Sequence, residues 1–173
     1  MTDMTETKYG KYFIEYDPAL YPEERRPVMA RMQDSVAKGS NFYLIHWMMP
    51  FSGASPIGDY PMAGHPPHIH KDAELLFHIG TNPDEPMDLG AEVEMYMGPE
   101  LERHVITRTT CIYIPPNFIH SPWRPLKTTR PWIFIEVNQG PSHTEKSFRQ
   151  ILPDEVRERI NWSRWKDEGY EIP

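Results

Sequence analysis

The chain has a single cysteine, Cys111, so it can form no intrachain disulfide, and its thiol content gives no sign of an oxidising compartment. Set in the apolar run 111–114, Cys111 reads as a small hydrophobe rather than a reactive thiol. Basic residues are also in short supply: 18 Lys and Arg stand against 25 Asp and Glu, for a formal charge of -7 and a pI near 5.6. No run of Lys or Arg is long enough to make a phosphate-binding stripe, which argues against nucleic acid and against an anionic membrane surface as partners. Long hydrophobic runs are missing too. The longest, residues 42–51, contains His46 and Pro50 and falls far short of a bilayer span. The first residues, Met1-Thr2-Asp3-Met4-Thr5-Glu6, are polar and acidic and show no signal-peptide pattern, so a cytoplasmic location is expected.

Proline, by contrast, is plentiful. The 19 prolines are about twice the usual share, and they lie between short apolar runs. That pattern suits a β-rich fold with many turns better than a helical bundle. The length, 173 residues, fits one domain with its own core. Strands are expected at 42–49, 75–79, 91–97, 102–108, 111–114 and 131–137, with turns at 82–86 and 98–99. In 91–97 the apolar set Ala91, Val93, Met95 and Met97 alternates with Glu92, Glu94 and Tyr96, as in a half-buried strand. Before the first core strand, residues 11–16 could pair as an edge strand. Residues 22–38 carry helix formers, with Glu23-Glu24 early and Lys38 late; Pro27 limits the start and Gly39 the end. Residues 51–64 read as a loop. From Ser147 onward the tail changes character: Pro153-Asp154-Glu155 looks like a helix start running on towards Trp162 and Trp165, aromatics suited to covering a barrel face or meeting a partner chain.

Residues 65–74, His-Pro-Pro-His-Ile-His-Lys-Asp-Ala-Glu, carry the chemistry. His68 and His70 are two apart, so an extended strand points both to one face. Glu74 returns to that face if the strand continues or resumes after a bend at Lys71-Asp72. Two imidazoles and a carboxylate form a ligand set for a borderline divalent metal. The missing ligand is expected from residues 111–120, where a short apolar strand meets Pro115-Pro116 and a turn at Asn117, which tolerates the left-handed conformation; His120 follows on the next strand.

The spacing His68-x-His70-x3-Glu74, with Gly80 one residue early for the usual pattern, resembles the first motif of the cupin family. Pro115-x-Asn117-x2-His120 resembles its second. Asn117 stands where the family has glycine, the family's leading glycine falls at Thr109, and its trailing Asn falls at Arg124. The likeness covers residues 64–137 and implies an all-β, cupin-type double-sheet β-barrel, or jelly roll. The barrel would span about 40–140, with an N-terminal arm over 1–39 and a short C-terminal helix in the tail 147–173. It implies one divalent metal ion per chain (Fe, Mn, Zn or Ni) on His68, His70, Glu74 and His120, a small-molecule substrate, and a homodimer. The function expected from it is a metal-dependent enzyme acting on a small polar organic molecule, either as a dioxygenase or as a redox-neutral isomerase, lyase or decarboxylase. A non-catalytic barrel that binds a small molecule or metal is the alternative. His78, four on from Glu74, is the candidate proton shuttle, although a satisfied core histidine is the commoner use of such a position. Arg124 and Arg130 are candidate clamps for a substrate carboxylate, against the plainer reading of solvated surface arginines. His65 could guard the mouth of the site, although a plain loop histidine is the commoner use of such a position; His46, His104 and His143 show no neighbours that suggest one.

Overall fold

The computed structural model of the protein describes residues 7–20, 25–51, 62, 64–165 and 169–170. Among the described residues ten strands follow one another: β1 Val28–Met32, β2 Phe42–Met48, β3 His68–Ile69, β4 Glu74–Gly80, β5 Asp88–Met97, β6 Glu102–Arg108, β7 Thr110–Ile114, β8 His120–Thr128, β9 Trp132–Asn138 and β10 Lys146–Ser147. They form two five-stranded antiparallel sheets, ordered β1-β2-β9-β4-β7 and β10-β3-β8-β5-β6. The pairs β2·β9, β3·β8, β4·β7 and β5·β6 are those of one long hairpin folded at the turn between β5 and β6. Rolling that hairpin up brings β4 beside β9 and β5 beside β8. This is the jelly roll implied by the cupin resemblance, with the chain changing sheet at nearly every corner.

The core lies between the sheets. Met48, Leu76, Ile114, Trp132 and Phe134 come from one sheet, and Val93, Met95, Ile106 and Trp123 from the other. Because strand side chains alternate, the opposite face of the first sheet is set by the same register. Tyr43, Val137, Leu75 and Tyr113 lie side by side across four strands; Ile45, Ile135, Phe77 and Cys111 form the next row, and Trp47, Ile133 and Ile79 a third. On β1, Met32 and Ala30 extend the first two rows.

Four expectations need correction. Of the helix expected within 22–38, the described residues 25–38 form none: residues 28–32 are β1, paired with β2, because the open edge of Phe42–Met48 offers a ladder that outweighs weak helix propensities. Residues 11–16 form no strand; Gly10–Tyr12 is a single 3-10 turn. The short C-terminal helix forms where expected, at Asp154–Arg157, but it does not run on towards Trp165; a separate 3-10 turn follows at Trp162–Arg164. In β5 only Glu92 is exposed; Glu94 and Tyr96 are buried, because Glu94 is neutralised by arginines on its own face. Of the loop expected over 51–64, residues 52–61 and 63 lie outside the described residues.

Candidate metal centre

His68 and His120 are register partners on β3 and β8, so two neighbouring strands of one sheet present an imidazole each at the same height. After β3 the chain bends at Lys71 and Asp72 and enters the other sheet, where Glu74 is the first residue of β4. Glu74 therefore meets the histidines from across the barrel, not from further along one strand. The two motifs are fastened together: the Asn117 N–H donates to the His70 carbonyl at 2.8 Å. Asn117 does take the left-handed conformation, with φ 59°.

The four side chains are almost completely buried and converge. His68 Nε2 lies 3.2 Å from His70 Nε2. Glu74 places Oε1 3.2 Å from His70 Nε2 and Oε2 3.0 Å from His120 Nε2. Each imidazole is tied behind by its other nitrogen: His68 Nδ1 donates to the Pro66 carbonyl at 2.7 Å, His120 Nδ1 to the Phe118 carbonyl at 3.1 Å, and His70 Nδ1 to the Thr144 carbonyl. A carbonyl can only accept, so in each neutral ring the proton sits on Nδ1 and Nε2 is left as a bare lone pair. Three lone pairs and a carboxylate facing one another in a buried site repel unless a cation lies among them. The orphaned atoms agree: Glu74 Oε2 and His120 Nε2 are buried and make no hydrogen bond. A divalent metal fits this donor set, and the backbone carbonyls behind the rings are the partners that orient metal-binding histidines.

Without an ion, charge pairing between Glu74 and the imidazoles beside it takes up the repulsion. Burial pushes the Glu74 carboxyl upwards, but the His120 and His70 imidazoles beside it outweigh that and hold it well below the usual carboxylate range. For His70 burial is again opposed, here by the Glu74 carboxylate, and the pKa rises to about 9. His68 is held well below its ordinary value by burial first, then by the charges of its histidine neighbours. Glu74 is held in place by Asn138, whose side-chain N–H donates to Oε1 at 3.1 Å.

Around this cluster stands a ring of groups, of which the sequence singled out His65 but not His143, Glu136 or Glu145. His143 packs edge-on to His70, with ring centroids 5.1 Å apart, and its Nε2 lies 3.6 Å from Glu136 and 3.9 Å from Glu145. Glu145 also takes His65 Nε2 at 2.9 Å. His65 is sandwiched between His68 and Trp165, with centroids 4.2 and 4.3 Å away. The trio His65, His68 and Glu145 thus shares His68 with the trio His68, His70 and His120 and widens the same site. Glu136 shares the inner face of β9 with Asn138 and is held among acids. Burial first and then the Glu74 charge push its pKa up to about 7. The alternation of Trp132, Phe134, Glu136 and Asn138 along β9 was the signal that would have found it.

His78 does share the inner face of β4 with Glu74, but four residues further on, roughly 13 Å along the strand. There it is fully buried, stacks on Trp132 and accepts a hydrogen bond from Trp123 Nε1 at 3.1 Å. Arg124 is buried and turned to the outer side of its sheet, where its guanidinium pairs with Glu94 at 2.7 Å. Arg130 lies just beyond the end of β8 remote from His120 and pairs with Asp88. The structure brings none of these three to the cluster.

Fold and site together define a jelly-roll barrel with three histidines and one carboxylate gathered in its interior. No family model matches the chain, and no curated relative does either. Among solved structures it is similar to an oxalate decarboxylase studied for its substrate binding mode and reaction specificity (14% identity, TM-score 0.48, covering 81% of this chain and 33% of that one). It is similar also to the Bacillus subtilis oxalate decarboxylase studied for its Mn(II) centres (15%, TM-score 0.45, 77% and 31%). A third is an uncharacterised Klebsiella pneumoniae protein with a double-stranded β-helix domain (12%, TM-score 0.42, 76% and 94%). The chain spans about a third of the length of the oxalate decarboxylases it resembles.

Proposed function

We propose that this chain is a mononuclear metalloenzyme that binds one divalent ion through His68, His70 and His120 Nε2 and the Glu74 carboxylate, and that it moves protons on a small polar organic substrate. The observation that carries the reading is the set of three Nδ1–H groups, each donated to a backbone carbonyl, behind three converging Nε2 lone pairs. Iron, manganese, zinc and nickel all suit such a donor set. A bound divalent ion supplies Lewis acidity and a point of attachment for an oxygen donor. Asn138 orients Glu74, and the backbone carbonyls of Pro66, Phe118 and Thr144 orient the rings. Glu136, on the inner face of β9 and raised above the usual carboxylate range by burial and by the Glu74 charge, is the acid–base candidate beside the cluster. This favours a redox-neutral isomerase, lyase or decarboxylase over a dioxygenase, since an acid–base group is what the former need.

The test is elemental analysis of protein purified without chelator. About one divalent ion per chain is expected, as is loss of most of it in His70→Ala, because the remaining donors no longer surround the ion. Glu136→Gln should keep the ion while lowering any turnover found. Metal-free wild-type protein that does not take up manganese, iron, zinc or nickel would sink the reading in favour of a non-catalytic barrel.

A further inference from the structure

Two acceptors on the inner face of β9, Asn138 Oδ1 and the Glu136 carboxylate, have no hydrogen-bond donor, and we propose that together they hold the ammonium group of an amine substrate whose oxygen binds the metal. The proposal rests on the metal reading above and narrows it to a substrate class. Asn138 is wholly buried, and its Nδ2 donates to Glu74 Oε1 at 3.1 Å. A carboxylate only accepts, which fixes the orientation of the amide and leaves Oδ1 as its other end. No hydrogen bond reaches that oxygen, although buried polar atoms are nearly always paired. A metal accounts for the orphaned Glu74 Oε2 and His120 Nε2; its four-donor set leaves Asn138 Oδ1 over.

Glu136 stands two residues away on the same face of β9. Among the described residues its one ion pair is with His143 Nε2 at 3.6 Å, too long for a hydrogen bond, and that nitrogen is shared with Glu145 at 3.9 Å. The Glu136 side chain keeps 18% of its surface exposed, so a solute can reach it. Same-face neighbours on a strand are about 6.7 Å apart. A nitrogen about 2.9 Å from each of two acceptors spans up to about 5.8 Å, so one ammonium, with its three N–H donors, can bridge this pair.

Charge selects an ammonium over a hydroxyl. Among the described residues no Lys or Arg pairs with Glu74, Glu136 or Glu145; their ion-pair partners are all histidines. Residues 52–61, which precede the first motif, contain one Asp and neither Lys nor Arg. The chain carries -7, a field that draws cations and repels anions. A carboxylate substrate would meet Glu136 and Glu145 with no basic side chain to offset them. A water would satisfy Asn138 Oδ1 but would bring no charge to Glu136. An ammonium does both, and it leaves the second Glu136 oxygen for proton exchange.

The test uses three probes that share a three-carbon frame with one hydroxyl and differ in charge: 1-amino-2-propanol, 1,2-propanediol and lactate. Their binding to manganese-loaded protein is read from the broadening of the probes' proton resonances at about pH 7.5, where the amine is protonated. The amine should bind wild type about tenfold or more tighter than the diol, and tighter than lactate. Glu136→Gln, which keeps the side chain's volume, should cost the amine about tenfold or more, change the diol by less than about twofold and strengthen lactate. Lactate binding tighter than the amine in wild type overturns the proposal and needs no variant. A diol that matches the amine overturns it in favour of a polyol. A folded Glu136→Gln that shifts all three probes alike overturns it as well. Metal content is measured on the same samples: protein that takes up no ion fails the metal reading, whereas loaded protein with the wrong ranking fails this proposal alone.

Discussion

His78 shows how one residue can be placed correctly and still do different work from that expected of its position. Its register with Glu74 holds, and it faces the interior. The interior at that height is a nest of Trp123, Trp132 and Phe134, not the metal cluster. Burial pushes its pKa down to about 4, so the folded protein keeps it neutral. The sign of the stability effect follows. Between about pH 6.5 and pH 4 the unfolded chain binds a proton at this histidine that the folded chain does not, so stability falls as pH drops through that window. The contribution is fully present above about 6.5 and its loss below about 4 approaches, at most, about 3 kcal/mol. His78→Gln keeps an acceptor for the Trp123 indole and removes the titration. Urea denaturation of metal-free protein at pH 7 and pH 5 should show a smaller loss for the variant than for wild type. An equal loss in both would mean that acid sensitivity is seated elsewhere.

At the level of elements, β9 shows what a sequence makes legible. Its near-continuous apolar run with β-branched residues marks it as a strand, and its pairing with both β2 and β4 makes it the centre of its sheet. That His68, His70, Glu74 and His120 gather at one place was readable from spacing, because spacing within a motif survives folding. Glu136, Glu145 and His143 were not, since they reach the site through strand order and a returning loop, and these are tertiary facts. The same holds for β1: its residues favour a helix locally, and only the edge of β2, fourteen residues from Val28 to Phe42, decides otherwise. The corner at Lys71 and Asp72, which carries the chain between sheets, also depends on a distant glycine. A Cβ on Gly140 would lie 1.9 Å from the Asp72 carboxylate and 3.1 Å from its Cβ. Gly140→Ala should therefore destabilise the fold by about 1–3 kcal/mol through overpacking. Adding Asp72→Ala should recover part of that loss. The check is the urea midpoint of the single and double variants; additive losses would show that the two residues do not meet.

At the scale of the whole molecule, the tail closes over the end of the barrel that holds the cluster. Trp165 stacks on His65, which itself stacks on His68 of the cluster. Tyr170 donates to the Asn117 side chain, and the ammonium groups of Lys71 and Lys146 lie 5.7 and 5.6 Å from its ring centre. These contacts bridge the tail to both metal-binding motifs and to β10, yet none of them contributes a donor to the cluster. The four clustered side chains and their carbonyl tethers all come from residues 66–144. Removing residues 161–173 should thus leave the equilibrium occupancy of the metal nearly unchanged while opening the side of the site that His65 now covers. The expected change is in rate: a colorimetric chelator in excess should extract metal about tenfold faster from the truncated chain, as expected when a covering segment that must open by local unfolding is deleted. Trp165→Ala should give part of the same acceleration, because it frees His65 without shortening the chain. If truncation instead empties the site at equilibrium, the tail is part of the binding framework; if extraction proceeds at the wild-type rate, metal leaves by another side of the barrel.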